Sequence, residues 1–146
     1  MIKAVLFDLD GTLINTNELI IESFQHAMRE HLNKEISREE VVMTFGEPLR
    51  GAMLRYDEEN VDEMLSIFRK YNEAKHDELA EEYQGVYEGI SKLKEKGIKT
   101  ALVTSKRKKM TERGLKLVKV YGFMDAIVTP EDTQKHKPSG EPALKA

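Results

Sequence analysis

The chain contains no cysteine at all. That removes disulfides, thiolate metal sites and a cysteine nucleophile, and is compatible with an intracellular setting. Long apolar runs are missing too. The first, AVLF at residues 4–7, is ended by Asp8 and is too short for a membrane span or a secretory signal. Met1 therefore reads as the start of a cytoplasmic chain with no membrane partner. No Walker-type lysine loop, no G-x-G-x-x-G and no G-x-S-x-G occurs, which argues against the nucleotide and hydrolase folds built on those motifs. His26, His31, His76 and His136 lack metal-ligand spacing and read as surface or partly packed side chains. A net charge of −3 gives no reason to expect nucleic acid as a partner.

What is present describes a globular protein: 40% hydrophobic and 34% charged residues over 146 positions suit one compact domain, or a small core with an insertion. Charge is unevenly spread. The basic stretch from Ser105 to Lys119 holds Lys106, Arg107, Lys108, Lys109, Arg113, Lys116 and Lys119, but lacks the interleaved aromatics of a nucleic-acid platform. Met110, Leu115, Leu117, Val118 and Tyr121 form an approximately helical apolar stripe within it, so the bases read as a solvated helix face with little chemistry. The 7 methionines fall mostly at helical positions and read as core filling.

Residues 2–8, IKAVLFD, have the look of a buried parallel strand. From Asn17 to Leu32, Ile20, Phe24, Ala27, Met28 and Leu32 recur at helical spacing. Ser37 and Glu40 have capping-box spacing for a second helix. The segment FGEPLRG, with Gly46, Pro48 and Gly51, reads as a loop, and a longer helix follows from about Asn60. A helix over 88–96 closed by Gly97, a strand IKTALVTS ending at Thr104, a helix from Lys108 to Tyr121 closed by Gly122 and a strand DAIVT complete the pattern. Alternating strands and helices predict an α/β fold with an open parallel, Rossmann-like sheet. Residues 1–16 and 81–146 form this core, and 17–80 a helical insertion. Ligands of such sheets bind beyond the carboxyl ends of the strands, where Asp8, Asp10 and Thr104 fall.

Asp8 and Asp10 are separated only by Leu9, and in an extended segment positions i and i+2 face the same side. Two like charges held together need a cation, a proton or a reaction to offset them. A phosphoryl group at this edge could be attacked by Asp8, forming an acyl phosphate, while Asp10 protonates the leaving oxygen and later deprotonates water. Gly11 permits a sharp turn close to a phosphate, and Thr12 can fix that turn. A divalent cation would relieve the repulsion between carboxylate and phosphate. A strand that merely ends in an acidic turn is the competing reading.

VLFDLDGTL resembles the first motif of the haloacid dehalogenase-like (HAD) phosphatases, ALVTSK the second and HKPSGEP the third. The resemblance implies Asp8 as nucleophile, Asp10 as acid/base, and both as ligands of Mg2+. It also implies that Thr104, with Ser105 beside it, contacts the phosphoryl group and that Lys137 neutralises charge. The helical insertion corresponds to a cap that closes over the site and selects substrates. GTLINTNELIIESF is most similar to pyrophosphatases acting with HPr-serine-phosphate phosphorylase, and next to phosphoglycolate phosphatases. A small phosphate-containing substrate is the implied partner. Arg50 in FGEPLRG is either a phosphate-reading residue or an exposed loop arginine.

The sequence also departs from the family pattern. Gly140 stands where the third motif more often has proline, and no fourth, acidic motif precedes Ala146. Glu131 and Asp132 make poor substitutes for it, being expected about two strand spacings, ~10 Å, from Asp8. The expectation is a C-terminally incomplete core whose first strand has an open edge: either a fragment of a longer enzyme, or a chain whose edge is covered by a partner or a second copy. Besides a Mg2+-dependent phosphohydrolase, two alternatives stand: an inactive core that binds anions weakly or self-associates, and a phosphoacceptor domain.

Overall fold

The computed structural model describes residues 2–146. In chain order the elements are β1 (Ala4–Phe7), β2 (Ile14–Asn15), α1 (Asn17–Leu32), α2 (Arg38–Val42), α3 (Leu49–Leu54), α4 (Val61–Leu79), β3 (Glu81–Glu82), α5 (Val86–Glu95), β4 (Lys99–Val103), α6 (Lys108–Leu117), β5 (Ala126–Val128) and α7 (Glu141–Lys145). They form two compact units, Met1–Thr16 with Ala80–Ala146, and Asn17–Leu79. Among the described residues no helix is long and apolar enough to cross a membrane.

The first unit is built on a parallel sheet in the order β1–β4–β5, with Ala4 opposite Lys99 and Ala101 opposite Ala126. β4 is central, and four of its five residues are buried. β1 has the open edge expected of it, but is less buried than its apolar run suggests. It pairs with β4 alone among the described residues, and Ala4 and Leu6 are exposed, so it is not a strand buried on all sides. A short antiparallel ribbon, Ile14 opposite Glu82 and Asn15 opposite Glu81, lies where the chain leaves and re-enters this unit. Its two-residue strands are too short for an alternating pattern to reveal. Leu9, Leu13, Ile14, Ile90, Leu102, Leu115, Val118 and Val120 make the core.

Helix ends in this unit are closed by backbone chemistry. After α5, Gly97 at φ 72° donates to the Lys94 carbonyl, and the Ile98 amide returns to Leu93. After α6 the same double bond recurs from Lys119 to Lys116 and from Val120 to Leu115. Lys119 takes the left-handed role there at φ 59°, although it is not glycine. The helix therefore stops at Leu117 rather than Tyr121, and Gly122 lies in a 3-10 turn instead of closing it. Val118 and Val120, which follow the helix, are completely buried.

The second unit is all helix. α1 and α4 pack along their length around Ile21, Phe24, Met28, Val41, Met53, Met64, Leu65 and Phe68. Ser37 Oγ accepts from the Glu40 amide at 3.1 Å, and Glu40 Oε2 from the Ser37 amide at 2.8 Å, completing the capping box. The expected loop at residues 45–51 is shorter than read: α3 starts at Leu49 and takes Gly51 into the helix. The Ala52 amide bonds to the Pro48 carbonyl there, and Ala52 and Met53 are buried, so burial outweighs a glycine's weak helix propensity.

Asp57 organises the start of α4. Its carboxylate accepts from the Asn60 side chain at 3.1 Å, the Asn60 amide at 3.0 Å and His31 Nε2 at 3.0 Å. These donors, the Asn60 side chain first, hold its pKa down at about 2 from 3.8. Because the folded value is depressed, the stabilisation is present above 3.8 and lost as pH falls through about 2. Asp57→Asn is therefore expected to flatten the loss of urea resistance between about pH 5 and pH 2 relative to the parent; parallel curves for the two proteins would contradict this. Phe24, 1% exposed, is expected to cost about 3–5 kcal/mol on replacement by Ala, read from urea denaturation at neutral pH.

Candidate active site at the carboxyl edge of the sheet

β1 ends at Phe7, so both aspartates lie in the turn that follows rather than on the strand itself. Leu9 between them is fully buried, while the side chains of Asp8 and Asp10 are 43% and 29% exposed. Burial of Leu9 thus turns both carboxylates outward. The Leu9 carbonyl accepts from the amides of Thr12, Leu13 and Ile14 at 3.1, 2.9 and 3.1 Å, and Gly11, at φ 76°, donates to Ile14 at 2.8 Å. A residue with a Cβ would be strained at Gly11 whatever the space around it. Thr12 enters the turn through its amide, with its side chain exposed.

Each aspartate is met by its own lysine. Lys137 Nζ donates to Asp8 Oδ1 at 2.9 Å and to the Val103 carbonyl at 2.7 Å. Lys106 Nζ donates to Asp10 Oδ1 at 2.7 Å, and Thr16 Oγ1 reaches the same oxygen at 2.8 Å. The like-charge conflict posed by D-x-D is offset by two ammonium groups. Both pairings stay within the first unit.

Thr104 directly follows β4 and is buried; its amide bonds to the Val128 carbonyl. Its Oγ1 accepts from the Lys106 amide at 3.1 Å. A hydroxyl that accepts in this way still has its proton to donate to an anion. Ser105 is exposed beside it. Lys137 is carried on a loop fastened by Glu141, whose carboxylate accepts from the amides of Gln134 at 2.9 Å and Lys135 at 3.2 Å. Gly140 has φ −75°, a value proline would share, so its departure from the motif does not displace Lys137.

The nominated Arg50, and the two acids expected to be poor metal ligands, stand elsewhere. Arg50 belongs to the helical unit, where its guanidinium is bidentate on Asp62. Asp132 caps its own turn, accepting from the Thr129 amide and hydroxyl at 2.8 Å each, and these bonds, the amide first, lower its pKa. Burial pushes the Glu131 carboxyl up, but the Lys108 amide at 3.1 Å, its own amide, the Thr129 hydroxyl and the Arg107 charge together lower its pKa. Neither acid is a spare carboxylate for the aspartate pair.

Lys106 and Thr16 were not nominated from sequence. Lys106 was counted with the solvated face of α6, but the helix begins at Lys108, which leaves Lys106 on the loop after β4. Its position just past Thr104 was the available signal.

Residues 5–146 match the model for haloacid dehalogenase-like hydrolases. The chain belongs to that family. The PpaX protein of Clostridium perfringens is 51% identical over 146 residues, with 100% of this chain and 68% of that protein covered. The pyrophosphatase PpaX of Bacillus mycoides is 46% identical over 145 residues, covering 99% and 67%. A haloacid dehalogenase-like hydrolase structure from Streptococcus pneumoniae superposes with a TM-score of 0.85 at 21% identity, covering 99% of this chain and 67% of that one. The chain thus spans about two thirds of the length of the relatives it matches.

The Lys137–Asp8 pair is 39% and 43% exposed, in the range where an ion pair contributes little to folding. Lys137→Met is expected to change unfolding free energy by less than about 1 kcal/mol in urea titration. A larger loss would mark the pair as structural.

Proposed function

We propose that this phosphatase hydrolyses pyrophosphate through a covalent intermediate on Asp8. The observation that carries the proposal is the pairing of each carboxylate with its own lysine at one sheet edge, beside the buried Thr104 hydroxyl. The likeness to pyrophosphatases named PpaX supports the choice of substrate.

In the proposed reaction a carboxylate oxygen of Asp8 attacks phosphorus, and the bond to the leaving oxygen breaks. Asp10 gives its proton to that oxygen. Water then attacks the phosphorus of the aspartyl phosphate, Asp10 takes the proton, and the P–O bond to Asp8 breaks, restoring both carboxyl groups. Lys137 and the Thr104 hydroxyl stabilise the charge on the transferring group.

The donor set at this edge is all oxygen, which suits a hard cation such as Mg2+. Among the described residues no trio of His, Cys, Asp or Glu is arranged to hold a metal, so the Asp8 carboxylate and the backbone carbonyl of Asp10 are the groups that would bind it, with waters completing its coordination. When bound, the ion would screen the carboxylates from the phosphate and polarise the phosphoryl oxygens.

The test is phosphate release from pyrophosphate, 2-phosphoglycolate and an aryl phosphate, with and without Mg2+, alongside Asp8→Asn. Mg2+-dependent release that favours pyrophosphate and falls to background in Asp8→Asn is expected. Release that survives Asp8→Asn would refute the covalent route; none above background would refute the hydrolytic reading of this chain.

A further inference from the structure

We infer that Lys106 is the receptor for the second phosphoryl group of pyrophosphate, the one that leaves. This rests on the roles proposed above for Asp8 and Asp10.

The two lysines are divided between the two carboxylates: Lys137 lies on Asp8 at 2.9 Å, and Lys106 on Asp10 at 2.7 Å. In an in-line displacement the nucleophile and the leaving oxygen stand on opposite sides of phosphorus. Lys137, beside the nucleophile, serves the group being transferred. Lys106, beside the acid, stands on the leaving side. A leaving phosphate carries charge of its own, whereas an aryl alcohol leaving group needs only a proton. A cation at the acid therefore has no use for a simple aryl ester and a direct use for a phosphoanhydride.

The lysine is also prepared for that task. Its amide is tied to Thr104 Oγ1 at 3.1 Å, and its carbonyl accepts from Thr111 Oγ1 at 3.1 Å. The side chain is only 13% exposed, so little rotamer freedom remains to be lost on binding. Thr16 supplies Asp10 Oδ1 with a second donor, so the carboxylate stays oriented when the ammonium group shares itself with an anion.

The experiment is calorimetric titration of the 146-residue chain and of Lys106→Met and Lys106→Arg with imidodiphosphate, a non-hydrolysable pyrophosphate analogue, and with orthophosphate, at fixed Mg2+. Lys106→Met is expected to lose about 10- to 100-fold of its imidodiphosphate affinity and less than about threefold of its orthophosphate affinity, with Lys106→Arg recovering most of the loss. A parallel kinetic arm should show kcat/KM falling further on pyrophosphate than on an aryl phosphate, with the ratio of the two changing by a similar factor. Equal losses on both ligands, or no loss on imidodiphosphate, overturn the inference. A chain that shows the binding pattern without turnover would keep this role for Lys106 while refuting the hydrolytic reading, so the two fail separately.

Discussion

Two carboxylates one residue apart repel each other, and the site depends on how that repulsion is met. Burial of Leu9 turns Asp8 and Asp10 to the same open side, and Lys137 and Lys106 then neutralise one each. The lysines come from opposite ends of the later α/β segment, one just after β4 and the other on the loop before α7. The constellation therefore exists only when β1 and β4 are paired.

The scaffold holds these loops with backbone bonds more than with ion pairs. Three amides on the Leu9 carbonyl close the turn that carries the aspartates, and Glu141 fastens the loop that carries Lys137. Asp125 does the same further back: it accepts from the Thr100 amide at 2.8 Å and binds Lys94 and Lys99. Those donors, Lys94 first, hold its pKa well below the usual carboxylate range. In each case a short polar side chain or carbonyl satisfies amides that the sheet leaves over.

The helical unit has its own core cluster, and Asp57, which organises the start of α4, finds Asn60 and His31 within the same unit. This self-sufficiency fits a segment inserted into the chain of a haloacid dehalogenase-like hydrolase. It also accounts for Arg50, whose partner Asp62 lies within the same unit.

Sequence alone determined the α/β class and the parallel strands around residues 4–7, 99–103 and 126–128, because strand periodicity is a local signal, and it nominated Asp8 and Asp10 from D-x-D-G-T and Thr104 and Lys137 from family resemblance, four residues that the fold brings to one sheet edge. The Ser37 capping box was legible for the same reason. Only tertiary structure decided that α6 ends at Lys119's left-handed turn, that a ribbon joins Ile14 to Glu82, and that Lys106 reaches Asp10. Each of these depends on what a distant segment covers or supplies. A lysine in a basic run looks like its neighbours until the fold carries one of them across 96 positions of sequence to a carboxylate at the sheet's carboxyl edge.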